Sequence, residues 1–382
     1  MSTNENKGKK AEVTALQAIS AEDRKDWISL AFVQAGICVC VPAFLLGALL
    51  AEAMPIWPAI ISGSLGYLIV VVGMVATGMI GCDLGLASCT CCQAGFGKSG
   101  ARFIVSTIFA VNMIGWFGIQ NGVCGEAFSN AMLAMTGWDI PVVVSNTIWG
   151  IIMLLTAVYG VHALEKLDKI SIPLLMIIMC YGIFLAFKVY GTGNLNDEGT
   201  VQSMSFMSGV ALSFNFTAVG TITGPDYTRF QKSRKDTVKS VFYGVFPMGV
   251  ITLIMGIVLT KLSGQYDISM VLIEVGLPLL GIIALVISTW TTNSTNAYSA
   301  GLNIVMALKL KDNRRREATL ISGIVGIVLC DLGILGHVEG VLSLLSYVVC
   351  PVGGVILADY WVVGKGLSLI HISEPTRRVV IS

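Results

Sequence analysis

Polar and apolar positions in this chain are segregated into long blocks rather than alternating residue by residue. Ten blocks are mostly apolar and roughly helix-crossing in length: 27–50, 57–80, 103–125, 141–163, 170–187, 203–228, 240–260, 275–306, 318–336 and 340–363. At 1.5 Å per residue, about 20 apolar residues cross a hydrocarbon core about 30 Å thick. Lipid offers no partner for backbone N–H and C=O groups, so runs of this kind span as helices. The blocks predict an all-α polytopic membrane protein of about ten transmembrane helices. A polar tail occupies 1–26 and the transmembrane core 27–363.

Composition agrees with the blocks. Of 382 residues, 55% are hydrophobic and 12% charged, about half the charge of a soluble domain. A net charge of +1 gives no reason to expect a nucleic-acid partner, and no obligate protein partner is evident. The placement of the charges says more than their sum. With the N-terminus in the cytoplasm, nineteen of the twenty-one Lys and Arg residues before the end of the tenth block fall on the cytoplasmic side. Only Lys188 and Lys261 fall outside. The positive-inside rule then gives a multi-pass protein of the cytoplasmic membrane with a cytoplasmic N-terminus. A miscount by one block would scatter these charges over both faces.

The ten cysteines do not change the picture. Most lie in apolar runs, where Cys acts as a small hydrophobe. Cys82, Cys89, Cys91 and Cys92 are closer together, and Cys89 and Cys92 stand in CxxC spacing, but no second such pair and no neighbouring His accompany them, so a metal site or cofactor is not expected there. No acid–base constellation suggests an enzyme. A channel or receptor, and a membrane enzyme, stand as the alternative classes.

Ten crossings divide into five plus five, and an odd-numbered repeat places its second copy inverted, as in many secondary transporters. Four interruptions sharpen that expectation. Block one is broken by Gln34, Gly36 and Pro42, and block six by Asn215 to Thr221. Broken helices at corresponding positions of the two halves point to a transporter's binding site. Block three carries Asn112, Gly115, Trp116, Phe117, Gly118 and Gln120 near its centre; block eight carries the run Ser288 to Asn296, in which only Trp290 is not polar. Glycines in membrane helices often serve only close packing, and single Ser or Thr residues often bond back to the helix. A run of eight polar side chains is too many for either explanation. Trp116 lies about 20 Å into its block, too deep for an interfacial belt. The four patches share one depth and predict a midplane pocket of amides, hydroxyls and aromatic rings without an evident ionised group. Such a pocket suits a neutral, flat, polar solute, stacked on its faces and hydrogen-bonded at its edge.

Several motifs resemble the nucleobase:cation symporter-1 family of purine/cytosine permeases, most of all its bacterial cytosine permeases. They are Gly115-Trp116-Phe117-Gly118, Gly224-Pro225-Asp226-Tyr227-Thr228-Arg229-Phe230, Trp290-Thr291-Thr292-Asn293, and the stretch from Pro351 to Tyr360. The likeness runs from about Trp27 to Val363. It implies a symporter that imports cytosine or a related nucleobase by alternating access, with Na⁺ or H⁺ as coupling ion. Purines, hydantoin, allantoin or a thiamine-like ring are the alternative cargoes. It further implies a base sandwiched between Trp116 and Phe216, with Asn215, Ser288 and Asn293 as further contacts. Met113 and Asn215 depart from the residues usual in cytosine permeases, and Ser288 stands where Asn is frequent. The implied Na⁺ site has Thr291 and Thr292 as its hydroxyl pair, completed by carbonyls near Gly36 and Cys40. Hard Na⁺ prefers oxygen ligands of this kind. Asp226 and Arg229, three residues apart, are expected to pair locally.

Family members continue into two further helices. The stretch Ser368–Arg377 instead resembles translated sequencing adaptor, so 364–382 reads as a non-native tail on a C-terminally truncated chain.

Overall fold

The computed structural model describes residues 18–159, 161–192, 195, 204–265, 268–311 and 314–366. The first seventeen residues and 367–382, which hold most of the two tails, lie outside the described residues. Among the described residues the chain is helical and forms no strand. The only pairing of that type is an isolated bridge between Lys25 and Gln231.

The first crossing is two helices, α1 (Trp27–Cys38) and α2 (Val41–Ala53), bent by 52°. Then come α3 (Ile56–Leu84), the short α4 (Ser88–Cys91) and α5 (Gln93–Gly100). A π-helical turn at Ala101–Val105 leads into α6 (Ser106–Thr136), followed by α7 (Val142–Tyr159) and α8 (Val161–Tyr190). The second half holds α9 (Phe206–Thr217), α10 (Gly220–Thr228), α11 (Arg234–Ser263) and the short α12 (Ile268–Glu274). It closes with α13 (Pro278–Ala307), α14 (Arg315–Asp331) and α15 (Val338–Leu357).

Among the described residues seven helical spans are long and apolar enough to cross a membrane, and the bent pair α1–α2 makes an eighth. α13 and α14 stand where the eighth and ninth crossings were expected. α13 has 30 residues but carries the polar run, and α14 has 17, about 25 Å of helix. Length and apolarity alone thus account for eight of the ten expected crossings. The outward faces are apolar, as on α3, where Trp57, Ile61, Ile69 and Val72 are exposed. In water such a stripe would be a liability; against lipid tails it is the ground state.

Two helix groups meet around the middle of the molecule. One packs α1, α2, α3, α9, α10 and α11 together, and the other α6, α7, α13 and α14. Within the first group the backbones come very close. A Cβ on Gly47 of α2 would sit 2.5 Å from the Leu253 carbonyl of α11, and one on Gly256 of α11 would sit 2.5 Å from the Phe44 carbonyl of α2. Small residues at such crossings permit the van der Waals packing that holds helices together in lipid. At the N-terminal end of the bundle, residues 18–26 run along this same group. Ile19 N–H donates to Gly85 O at 2.9 Å, and Arg24 to Gln231 O at 3.1 Å.

Candidate functional site

The two expected interruptions differ in kind. Pro42, at the start of α2, has no N–H to give and its ring clashes with a helical carbonyl four residues back. The helix therefore ends at Cys38. Val39 takes φ −87°, ψ 73°, and Cys40 is extended at φ −140°, ψ 159°. In block six no proline stands at the break. Ala218 (φ −53°, ψ −35°) and Val219 (φ −57°, ψ −30°) stay right-handed, and the chain tightens rather than unwinds. Thr221 N–H donates to Ala218 O at 3.0 Å and Ile222 N–H to Val219 O at 3.1 Å. The hydroxyls of Thr217 and Thr221 bond back to Ser213 O and Ala218 O.

A cavity of about 100 Å³ opens between the two interruptions. Its wall includes Gln34, Cys38 and Cys40 from the first crossing, Tyr67 and Met74 from α3, and Met113, Trp116 and Gln120 from α6. Phe216, Thr217, Gly220 and Tyr227 close it from the sixth, and Thr292 and Asn296 from α13. Trp116 and Phe216 are buried and touch each other, with ring centroids 6.3 Å apart and planes at 69°. That is edge-to-face. A flat ring held between them would need parallel faces about 7 Å apart, two contact distances of about 3.5 Å, so one ring must turn to admit it.

The polar run on α13 is split by helical periodicity. Thr292 and Asn296, four residues apart, share the face that meets the cavity. Thr292 Oγ1 donates to Gly36 O at 3.0 Å and lies 3.3 Å from Ser288 O. This bond joins α13 to the last turn of α1, beside the Cys40 bend. Asn293 is one position, about 100°, further round. It is fully buried, and its Nδ2 donates to Phe117 O at 3.1 Å. Ser294 Oγ likewise donates to Met153 O at 3.0 Å, and Trp290 Nε1 to Thr156 Oγ1 at 2.9 Å. Ser288, Thr289 and Thr291 bond back into their own helix.

Of the residues expected at the pocket, the structure thus brings Trp116, Phe216, Thr292 and Cys40 to one cavity, with the Gly36 carbonyl held by Thr292. Asn215, Ser288, Thr291 and Asn293 are off its wall. Asn293 bonds α13 to α6, and the carbonyl of Asn215 accepts a bond from Ser346 of α15 at 3.1 Å. Gln34, Gln120 and Asn296, which belonged to the expected polar patches but not to the named contacts, also stand on the wall. Once Thr292 is placed at the cavity, i,i+4 spacing brings Asn296 to the same face. The Asp226 carboxylate feels the charge of Arg229, its expected partner, and also accepts from the Ser88 N–H at 2.8 Å, tying α10 to the loop after α3.

That loop also carries the cysteine group. Cys91 and Cys92 donate to the carbonyls of Leu86 and Ser88. Burial pushes the Cys89 thiol up to about 12 and raises Cys91 and Cys92 as well. Thiols kept protonated in this way are poor nucleophiles and ligands.

A second, wider cavity of about 740 Å³ opens at the end of the bundle away from the N-terminus. Its wall includes Val41, Leu45, Leu49 and Glu52 of α2 and Val123, Glu126 and Asn130 of α6. One half-helix, α2, therefore faces both spaces: Pro42 and Ala43 line the small cavity, Val41 and Leu45 the large one.

Comparison with known proteins agrees with this architecture. The family model described as a permease for cytosine/purines, uracil, thiamine and allantoin matches residues 19–372. The cytosine permease of Escherichia coli strain K12 is 30% identical over 341 residues, covering 88% of this chain and 78% of the relative. A purine-uracil permease of Arabidopsis thaliana is 25% identical over 379 residues, covering 89% of this chain and 62% of that protein. Among solved structures, the nucleobase-cation-symport-1 family transporter Mhp1, in a closed conformation with bromovinylhydantoin bound, superposes with a TM-score of 0.81. That match covers 94% of this chain and 83% of Mhp1 at 18% identity, a likeness of fold.

Proposed function

The chain belongs to the family of permeases for cytosine/purines, uracil, thiamine and allantoin, and from that premise we propose that it imports cytosine or a related nucleobase by cation-coupled alternating access. The observation that carries the proposal is the convergence of Trp116 and Phe216 on one cavity, where the first crossing unwinds and Thr292 reaches the Gly36 carbonyl. The base stacks on Trp116, and Phe216 turns from its edge-on position to cover the opposite face. Amides and hydroxyls on the wall satisfy its polar edge. Among the described residues no carboxylate, Lys or Arg lines the cavity, which favours a neutral solute over an ion.

The coupling ion is a co-substrate, and we favour Na⁺, with H⁺ the rival. Thr292 Oγ1 and Gly36 O already meet at 3.0 Å. If the Thr292 hydrogen swings to Ser288 O, 3.3 Å away, both oxygens present lone pairs to a hard cation. The Thr291 hydroxyl and carbonyls around Cys40 would complete the set. Gly36 belongs to one helix group and Thr292 to the other. A cation held by both favours the arrangement that brings the groups together, which is how binding energy becomes conformational bias. The N-terminal end of the bundle is assigned to the cytoplasm on its excess of Lys and Arg. The wide cavity then faces outward, and α2 is the element that separates it from the solute site.

Uptake of radiolabelled cytosine into cells or proteoliposomes tests the reading, with unlabelled bases as competitors and with and without Na⁺. Saturable accumulation, competed by a subset of bases and stimulated by Na⁺, is the expected result. Uptake that never exceeds the outside concentration would make the chain a channel. Accumulation that follows a pH gradient and ignores Na⁺ would transfer the coupling to H⁺.

A further inference from the structure

Two residues of the cavity wall, Gln34 and Gln120, hold a buried amide oxygen without a hydrogen-bond partner among the described residues, and of the two it is Gln34 whose amide is oriented by a neighbouring helix. Gln34 is fully buried on α1, and with Ile37 and Cys38 it forms the i, i+3, i+4 stripe that faces the cavity. Its Nε2 donates to Ser240 Oγ of α11 at 3.4 Å. Ser240 in turn donates its single hydrogen to Thr237 O at 3.1 Å. Reversing the amide would set Oε1 against the Ser240 oxygen and cost Ser240 its bond to Thr237. The network therefore fixes Gln34 with Oε1 as the free end, and among the described residues that oxygen has no hydrogen-bond partner. A buried carbonyl left unpaired is costly, and on the wall of a binding cavity a ligand can supply the missing donor.

We propose that Gln34 is a specificity-determining contact that accepts a hydrogen bond from an amino group on the solute, so that the carrier prefers amino-substituted planar rings to their oxo counterparts. This rests on the central cavity being the solute site. An exocyclic amine turned toward α1 gives Oε1 its donor. A carbonyl in the same position sets two acceptors face to face, both stripped of water. Sites built to bond a polar group reject analogues lacking it strongly, because the buried partner stays unpaired.

The test uses the purified full chain and two pairs of probes that differ by an amine for a carbonyl: cytosine and uracil, adenine and hypoxanthine. Dissociation constants are measured for the wild type and for Gln34→Met, which conserves volume and deletes the acceptor. The wild type should bind the amino member of a pair more tightly by about tenfold or more, and Gln34→Met should reduce that ratio about tenfold. Ser240→Ala, which frees the amide to reverse, should narrow the ratio by a smaller factor and covers the case in which Gln34→Met does not fold. A ratio unchanged in both variants, or a wild type that prefers the oxo members, overturns the inference and leaves the solute site standing. Wild-type protein that binds none of the four probes overturns the reading of the cavity itself, and this inference with it.

Discussion

The first and sixth crossings are both interrupted at the cavity, yet one opens its backbone and the other does not. At Val39–Cys40 the chain leaves helical geometry and the two half-helices diverge by 52°. At Ala218–Val219 every backbone angle stays helical, and the carbonyls find partners within the same stretch. The cause is local chemistry. Pro42 removes a donor and excludes the preceding turn, whereas Gly220 and the neighbouring threonines permit the helix to tighten. The consequence is a division of labour. The first crossing offers a carbonyl, Gly36 O, to a side chain on another helix. The sixth offers side chains, Phe216 and Thr217, to the cavity. Backbone oxygens suit a hard cation and a ring suits a flat solute, so under the proposed function the two breaks would serve the cation and the solute in different ways.

Phe216→Ala gives the largest expected effect and the most direct way to break this comparison. Loss of one stacking face should weaken base binding by roughly tenfold to a hundredfold, from about 1–3 kcal/mol per stacked base, with the Na⁺ dependence unaltered. A parallel shift in Na⁺ affinity would mean that the sixth crossing serves the ion as well. Pro42→Ala should act on the other side. Restoring the missing N–H lets the first crossing approach a continuous helix, and Na⁺ stimulation of uptake should fall about tenfold, an effect of order 1.4 kcal/mol. Equal Na⁺ activation curves for this variant and the wild type would detach the unwound backbone from the ion.

Thr292→Ala sharpens the point at a single oxygen. It should raise the Na⁺ concentration for half-activation roughly threefold to tenfold, as expected for one neutral ligand worth about 1 kcal/mol. Base affinity at saturating Na⁺ should stay within about twofold of the wild type on the same scale. The smallest effect on transport selectivity is expected from Asn293→Ala. Its amide is spent on Phe117 O, so the variant should lower thermal stability, with a buried acceptor left open at about 1–3 kcal/mol. The ranking of competing bases should not change. An altered ranking would return Asn293 to the solute and require α13 to rotate during the cycle.

Much of this was legible in the sequence, and the limit falls in a consistent place. The apolar blocks marked the crossings, because lipid leaves a long apolar run no option but helix. Their main errors were at the ends: the third block was read as 103–125, and its helix runs on to Thr136. The depth of Trp116, Phe216 and the α13 run followed from counting residues at 1.5 Å each. Pro42 named the unwound break, since its missing N–H is a property of the residue itself. The sixth interruption was overread, because Gly220 and the threonines allow a break without requiring one.

Azimuth was the part that sequence could not supply. Nine consecutive residues of α13 point in every direction round a helix, and nothing within the run says which direction is the cavity. Packing made that decision. Asn293 and Ser294 met the backbone of α6 and α7, while Thr292 and Asn296 met the open space. Gln34 shows the same limit, since its free oxygen is defined by Ser240, 206 residues away. By itself the chain determined that it crosses a membrane many times, where its helix must break, and at what depth its polar groups lie. Those follow from local energies in a solvent without hydrogen bonds. Which of those polar groups are consumed in holding helices together, and which are left for a ligand, was decided only when the helices packed, because a hydrogen bond between helices belongs to neither sequence segment alone.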